Sequence, residues 1–583
     1  MALFKKSRHF SLAHSYFSFI TRRKVSDRLI FNTVLCIVCI SVVFTVLKVN
    51  SLYTQSVPTS GGTLVEGIVG TPRFVNPVLA INRADHDMVA LIYSGILKLD
   101  ENGNLVNDIA QSLDVGEDGK TYHIVLRKNV RFHNGQELKV RDIAYTIALI
   151  QNPDLKSPLR GNWEGVKIEE IGEYEMNIIL EEAYAPFTEN LLVGILPREL
   201  WDELPIEQVP FSQNNTQPIG TGPYMVTDVL RNKSGLINGY KLSAFNSSSD
   251  KPNITTLVFN FYQNEEDLKS ALTKKEIAST PSLSPQFFSE VSQDTYQVIQ
   301  SPLPRTFAVY FNQNKSIALR DLSVRNALAL AIDKKALVAL VLNGNGIPTD
   351  SPVPPGFLTV DFTEDKEKAT EDSVSRIVKA QAVLTSGGWV KNERGIFEKV
   401  IDNNRVTLSV SLSTANTPLF DQTATYLSDT WKTLGAEVTV SQFEQTDLVQ
   451  TVIRPRDFEA LLYGADIGRQ VDLYPFWHSS QKNDPGLNIA QYTNIDVDGQ
   501  LEKTRKLQSF EERKATIESI ETIILKDTPA VFLFVPTFGY ILDKSVTVTP
   551  FTRLSRPSER FANISAWHMK SNNVWPIFSN KTQ

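Results

Sequence analysis

Residues 319–356 read LRDLSVRNALALAIDKKALVALVLNGNGIPTDSPVPPG. Val324, Leu328, Ala331 and Ile332 fall on one helical face. After Asp333, a residue type suited to an N-cap, Ala336, Leu337, Leu340 and Val341 form a second apolar stripe. The spacing predicts two short helices packed on one core. The second runs into Asn343-Gly344-Asn345-Gly346, residues that tolerate positive φ, and the loop beyond holds Pro348, Pro352, Pro354 and Pro355, which make it too stiff for a disordered linker.

Outward from this hairpin the pattern is mixed α and β. Alternating runs at 121–126, 306–311, 407–412, 438–440 and 458–463 read as strands, and 140–150, 372–384 and 420–434 read as helices. The elements intermix without a fixed period, which excludes a repeat protein. Trp389 and Trp431 sit at helix ends as core residues, and Arg325 is placed to pair with Asp321 at i,i+4.

Leu29 to Val49 is a run of 21 residues with Lys48 as its only charge, long enough to cross a bilayer. Lys5, Lys6, Arg8, Arg22, Arg23, Lys24 and Arg28 precede it against one acid, Asp27, so the positive-inside rule puts the N-terminus in the cytoplasm and the rest outside. A cleaved signal peptide is the alternative, but the run is too long for an h-region and no small-x-small cleavage site follows. A lipoprotein anchor lacks its small-residue pair before Cys36 or Cys39. The stretch 55–62 reads as a short polar tether.

Both cysteines lie in the span, so the outer body has no disulfide, thiolate zinc site or cysteine nucleophile. Eight of the 59 basic residues and one of the 65 acidic residues precede residue 51, which leaves the body at about −13. An acidic exterior argues against nucleic acid and suits a cationic or zwitterionic ligand. The common enzyme motifs are incomplete or missing from the sequence. Gly119-Lys120-Thr121 lacks the P-loop glycine, Asp114 standing in its place, and Glu117 to Gly119 reads as a hairpin turn. The seven histidines form no His-Glu-x-x-His, and there is no Gly-x-Ser-x-Gly. No metal, cofactor or catalytic constellation is expected.

Residues 319–356 closely resemble a segment of the extracytoplasmic solute-binding proteins, family 5, of ABC importers, whose members bind dipeptides, oligopeptides or nickel. Further matches follow in family order: GGTL at 61–64, Asn76-Pro77, LIYSGIL at 91–97, DGKTYHIVLRKNVRFHNG at 118–135, IGTGPY at 219–224, 382–389, Trp431 to Gly435, and Asp527-Thr528-Pro529. Within them, His133 takes a structural turn position, and Gly220, Gly222 and Pro223 fix a turn before Tyr224, glycine giving φ freedom and proline stiffening the exit.

The resemblance implies an α/β, two-lobe, periplasmic-binding-protein-like (Venus-flytrap, type II, cluster C) fold behind one transmembrane helix. Its expected parts are a cytoplasmic tail at 1–28, the helix at 29–49 and a linker at 50–60. Lobe I takes 61–100, 217–304 and 531–583, an inserted subdomain 101–216, and lobe II 305–530, with 305–312 crossing the hinge. The implied function is capture of peptides outside the plasma membrane and delivery to an ABC permease and ATPase complex. A metal chelate, an oligosaccharide or a non-transport peptide sensor on the same fold are the alternatives.

A buried peptide needs a carboxylate for its ammonium, donors for its carboxylate and room for side chains. The stretch YGADIGRQVDLYPFW at 463–477 resembles the family segment whose aspartate after alanine takes the ligand's amino group; by position this is Asp466, with Asp472 as runner-up. Tyr474, Phe476 and Trp477 are candidates for a side-chain wall, and Arg305 for the ligand carboxylate. The family's aromatic residue after the first aspartate is Ile467 here, and Gly468-Arg469-Gln470 reads as an insertion.

Overall fold

The computed structural model describes residues 24–245, 251–358, 372–551 and 553–575; the basic residues at 5–23 lie outside them. The chain divides into two units. One holds a helix, Val25–Tyr53, apolar over Val25–Asn50 and solvent-exposed along its described side chains. A two-stranded ribbon belongs to the same unit. Gln55–Thr59 pairs antiparallel with Lys570–Val574, so the expected polar tether is a strand whose partner comes from the other end of the chain.

The other unit, Ser60–His568, is built around a long mixed sheet. In one half Thr63–Val69 runs parallel to Thr256–Tyr262, and Ile237–Ala244 and Tyr224–Arg231 extend it antiparallel. In the other, Glu437–Phe443 and Ala460–Asp466 run parallel to Ser409–Ala415, and Arg305–Phe311 lies antiparallel to Ala460–Asp466. The 14-residue strand Ala530–Asp543 belongs to both halves. Its first residues pair with Arg305–Phe311 and its last with Tyr296–Pro302. Two strands therefore cross from one half to the other side by side, joined where the Leu303 N–H donates to the Pro536 carbonyl at 3.4 Å. A separate four-stranded antiparallel sheet, in the order Ala110–Val115, Thr121–Leu126, Glu175–Ile179, Lys167–Gly172, carries the helix Val140–Gln151.

The expected helical hairpin forms as two helices, Leu322–Leu330 and Lys334–Leu342. Asp333 caps the second by accepting from the N–H groups of Lys335 and Ala336. Its buried face is Leu337, Val338 and Leu342; Leu340 is 56% exposed, so the stripe is rotated from the expected one. Strand alternation divides the core. Val309 and Phe311 pack beneath these helices with Trp389 and Trp431, while Ala308 and Tyr310 face Phe532, Trp477 and Ile520 on the opposite side.

Three local expectations change. Arg325 does not pair with Asp321; its guanidinium is buried and donates to the carbonyls of Leu319, Arg320, Asp527 and Thr528. The run 407–412 breaks at Leu408, whose N–H turns to the Phe397 carbonyl, leaving Asn404–Thr407 in a hairpin and Ser409–Ala415 in the main sheet. Gly220 and Gly222 are not at positive φ. They are glycines because a Cβ at Gly220 would stand 2.1 Å from the Ile92 carbonyl oxygen, and one at Gly222 2.5 Å from the Ile92 carbonyl carbon.

Candidate functional site

A cleft of about 1260 Å³ lies between the two halves of the Ser60–His568 unit. One wall comes from residues 77–99, 127–131 and 180–194 with the C-terminal segment 556–565, and the other from 466–476 with Leu487 and Arg505. The second wall is positioned by the strand Ala460–Asp466. Its last residue pairs in register with Arg305, so the two side chains stand on the same face, and Arg305 Nη2 lies 3.4 Å from Asp466 Oδ2. Both are about half exposed, at 48% and 47%, which leaves the carboxylate open to a second partner. Its other oxygen accepts from the Gly468 N–H at 3.2 Å.

Past Asp466 the backbone turns through Gly468 at φ 69° and Val471 at φ 53°. Asp472 then stands two residues before the short helix Tyr474–Trp477 and accepts from its first N–H, that of Tyr474, at 3.1 Å. Its carboxylate is gripped by the Arg505 fork, with Nη2 to Oδ2 at 2.7 Å and Nε to both oxygens, and receives the Tyr184 hydroxyl at 3.2 Å. The guanidinium lies between two rings, 4.0 Å from the Tyr474 centroid and 5.1 Å from that of Tyr184. Burial, and then the neighbouring Asp472, push the Tyr184 hydroxyl above its ordinary range. Burial works against the charge on Arg505, yet its bonds and proximity to Asp472 hold its affinity for the proton above normal.

The six residues proposed from the sequence thus take different places. Asp466 and Asp472 reach the cleft wall, Arg305 stands behind Asp466, and Tyr474 supports Arg505. Phe476 lines the cleft as expected, whereas Trp477 is 2% exposed and packs in the core against Tyr492 and Phe532. As the last residue of a one-turn helix, it points away from the wall that Phe476 faces.

The opposite wall carries groups that sequence reasoning did not single out, chiefly Glu189, Arg556, Glu559 and Tyr184, the last in direct contact with Asp472. Burial raises the Glu189 carboxyl above its usual value against the pull of Arg469. Arg127, Lys128 and Arg131, from the resembling hairpin segment, place basic groups on the same wall. The cleft is therefore large, mixed in charge and lined by donors and acceptors at separate points. Among the described residues no cluster of three or more histidine, cysteine, aspartate or glutamate side chains is placed to hold a metal.

The profile of the bacterial extracellular solute-binding proteins, family 5, matches residues 104–485. The oligopeptide-binding protein AppA of Bacillus subtilis is 26% identical over 525 residues, covering 88% of this chain and 92% of its own. The dipeptide-binding protein of Escherichia coli is 22% identical over 528 residues, covering 84% and 94%. The solved structure of the substrate-binding protein CtaP of Listeria monocytogenes superposes with a TM-score of 0.70 at 22% identity, covering 88% of this chain and all of that one. The two-lobe fold is shared with it.

Proposed function

The chain belongs to the bacterial extracellular solute-binding proteins of family 5, and from that premise we propose that it captures oligopeptides in the interlobe cleft and hands them to an ABC permease and its ATPase. The observation that carries this reading is the cleft itself. Its volume of about 1260 Å³ exceeds the roughly 300–1,000 Å³ of small-molecule sites, and its wall offers a half-exposed carboxylate on Asp466 for an α-ammonium. Relatives named for oligopeptide and dipeptide binding point the same way. Arg127, Lys128 and Arg131 supply donors for the ligand's carboxylate end.

In this reading lobe I comprises 61–100, 217–304 and the C-terminal segment, 101–216 is the inserted subdomain and 305–530 is lobe II. The strand Ala530–Asp543 is shared at the hinge. The helix Val25–Tyr53 holds the body at the outer face of the plasma membrane. Native mass spectrometry of the full chain, purified in mild detergent, tests both parts. A spread of masses matching short peptides is expected, and a metal chelate or oligosaccharide in their place overturns the peptide assignment. The protein's own mass should include residues 1–28; a species starting near Ser51 removes the anchor.

A further inference from the structure

The turn between Asp466 and Asp472 sends one residue out of its own lobe. Arg469 is 2% exposed, and everything it reaches by its side chain lies on the opposite wall. Its Nη1 donates to the Gly103 carbonyl at 2.8 Å, its Nη2 pairs with the Glu559 carboxylate, and its own carbonyl accepts from Arg553 Nη2 at 3.1 Å. Glu559 is fixed in turn by the Ser555 N–H at 2.6 Å. The 3-10 helix that carries it, Pro557–Phe561, is locked into lobe I, since Arg560 beside it is buried against Asp87 and Glu66. The receiving turn is shaped for this arm. Gly103 has φ 76°, and a Cβ there would meet Arg469 Nη1 at 2.8 Å. Gly468, Gln470, Glu189 and Glu559 line the end of the cleft nearest this contact.

We propose that Arg469 is a positioning residue that bolts the two lobes together across the end of the cleft beside Asp466. Its partners all belong to the chain, so the bolt stabilises the closed arrangement with or without a ligand. They exist only when the lobes meet, so the bolt shifts the population towards the closed form. Removing one member of a buried, hydrogen-bonded charge pair leaves the other uncompensated, which should move the open-to-closed ratio by roughly 30-fold or more. The test is a spin-label distance across the cleft in the full chain without added ligand, with labels at the exposed Glu207 and Lys432 and Cys36 and Cys39 replaced by serine. Wild type should give a narrow, short distribution, and Arg469→Ala and Glu559→Gln, which attack the bolt from opposite lobes, should each add a longer component. Identical distributions in all three folded proteins overturn the proposal. No ligand enters this measurement, so it stands or falls apart from the peptide assignment.

A different observation concerns the membrane-proximal unit. Of the seven tryptophans, Trp163, Trp201, Trp389, Trp431, Trp477 and Trp567 are buried, while Trp575 is 40% exposed. The register of the ribbon, Gln55 opposite Val574, brings Trp575 onto Tyr53, itself 61% exposed. The rings stack with centroids 6.3 Å apart. Tyr53 is four residues beyond Val49, about 6 Å along the helix axis, the depth of a headgroup layer. We infer that Tyr53 and Trp575 form one aromatic anchor in the lipid interface, so that the C-terminal strand holds the chain to the membrane as the helix does. This rests on the anchor reading above. In full chain reconstituted into phosphatidylglycerol-containing vesicles with a quencher at acyl carbon 5, tryptophan fluorescence should be quenched, and Trp575→Phe should remove most of that quenching. Equal quenching in both, with normal flotation on the vesicles, overturns the inference and leaves the anchor. Failure to float removes both.

Discussion

Asp466 and Asp472 share one segment, and their partners separate their roles. Asp472 has both oxygens committed to Arg505, the Tyr184 hydroxyl and the Tyr474 N–H; Asp466 accepts from the Gly468 N–H at 3.2 Å on one oxygen and faces the half-exposed Arg305 at 3.4 Å on the other. The free valence lies on Asp466, and it is the carboxylate expected to take a ligand's α-ammonium. A peptide amine has a reference pKa near 8, and enclosing it without a partner costs about 2–5 kcal/mol, or roughly 30-fold to several thousand-fold in affinity. N-acetylated peptides should therefore bind wild type far more weakly than free ones by titration calorimetry, and Asp466→Asn should discriminate much less between them. Asp472→Asn should keep the discrimination but lose about 2–4 kcal/mol of stability in urea. Loss of discrimination in Asp472→Asn alone would move the role there. That both aspartates stand at the cleft was legible because the resemblance covers their segment. The reach of Arg469 was not, because Gly103 and Glu559 are remote in sequence and no local spacing encodes them.

At the scale of elements, the hairpin at 118–135 and the turn at 219–224 act as one piece. The His133 backbone N–H donates to the Gly220 carbonyl, its Nδ1 accepts from the Gly220 N–H at 3.4 Å, and its Nε2 faces the Gly222 carbonyl at 3.1 Å. That pattern requires a neutral ring with the proton on Nε2. Burial, opposed by the Gly222 bond, depresses the His133 pKa to about 4. The folded value is below the unfolded one of about 6.5, so the unfolded chain binds the extra proton first. Stability is full above about pH 6.5 and falls by roughly 3 kcal/mol in all as pH drops to about 4. His133→Gln should flatten that part of the urea-midpoint profile against pH; an unchanged slope would refute the buried neutral ring. The glycines nearby give a paired prediction. Gly220→Ala should cost about 3 kcal/mol or more, because its Cβ strikes backbone that cannot yield. Gly499→Ala, in the helix Ile495–Lys506 with nothing near its Cβ, should add about 0.5–1 kcal/mol. The capped helices and alternating strands were legible because their signals are local. The rotated stripe at 337–342 and the strand Gln55–Thr59 were not, since tertiary partners decide them.

For the whole molecule, the two-stranded crossing sets how the lobes can move. Pro302, Pro304 and Pro536 stand at or beside the crossing, fixing φ and withholding N–H donors where sheet bonding would otherwise stiffen it. Motion is thereby directed to a short line of backbone while each half stays whole on its own core, Leu268, Leu272 and Ile541 in one and Val309, Trp431 and Leu462 in the other. A ligand touching both walls gains contacts only in the closed form, and it can shift the balance by no more than that difference in affinity. The bolt at Arg469 supplies part of the same difference from within the chain. Saturating peptide should accordingly change the interlobe distance of wild type little and that of Arg469→Ala much, drawing the variant's long component back to the wild-type value. If peptide binding is confirmed by calorimetry and the long component of Arg469→Ala persists, the ligand sits in a rigid groove and closure is not part of capture.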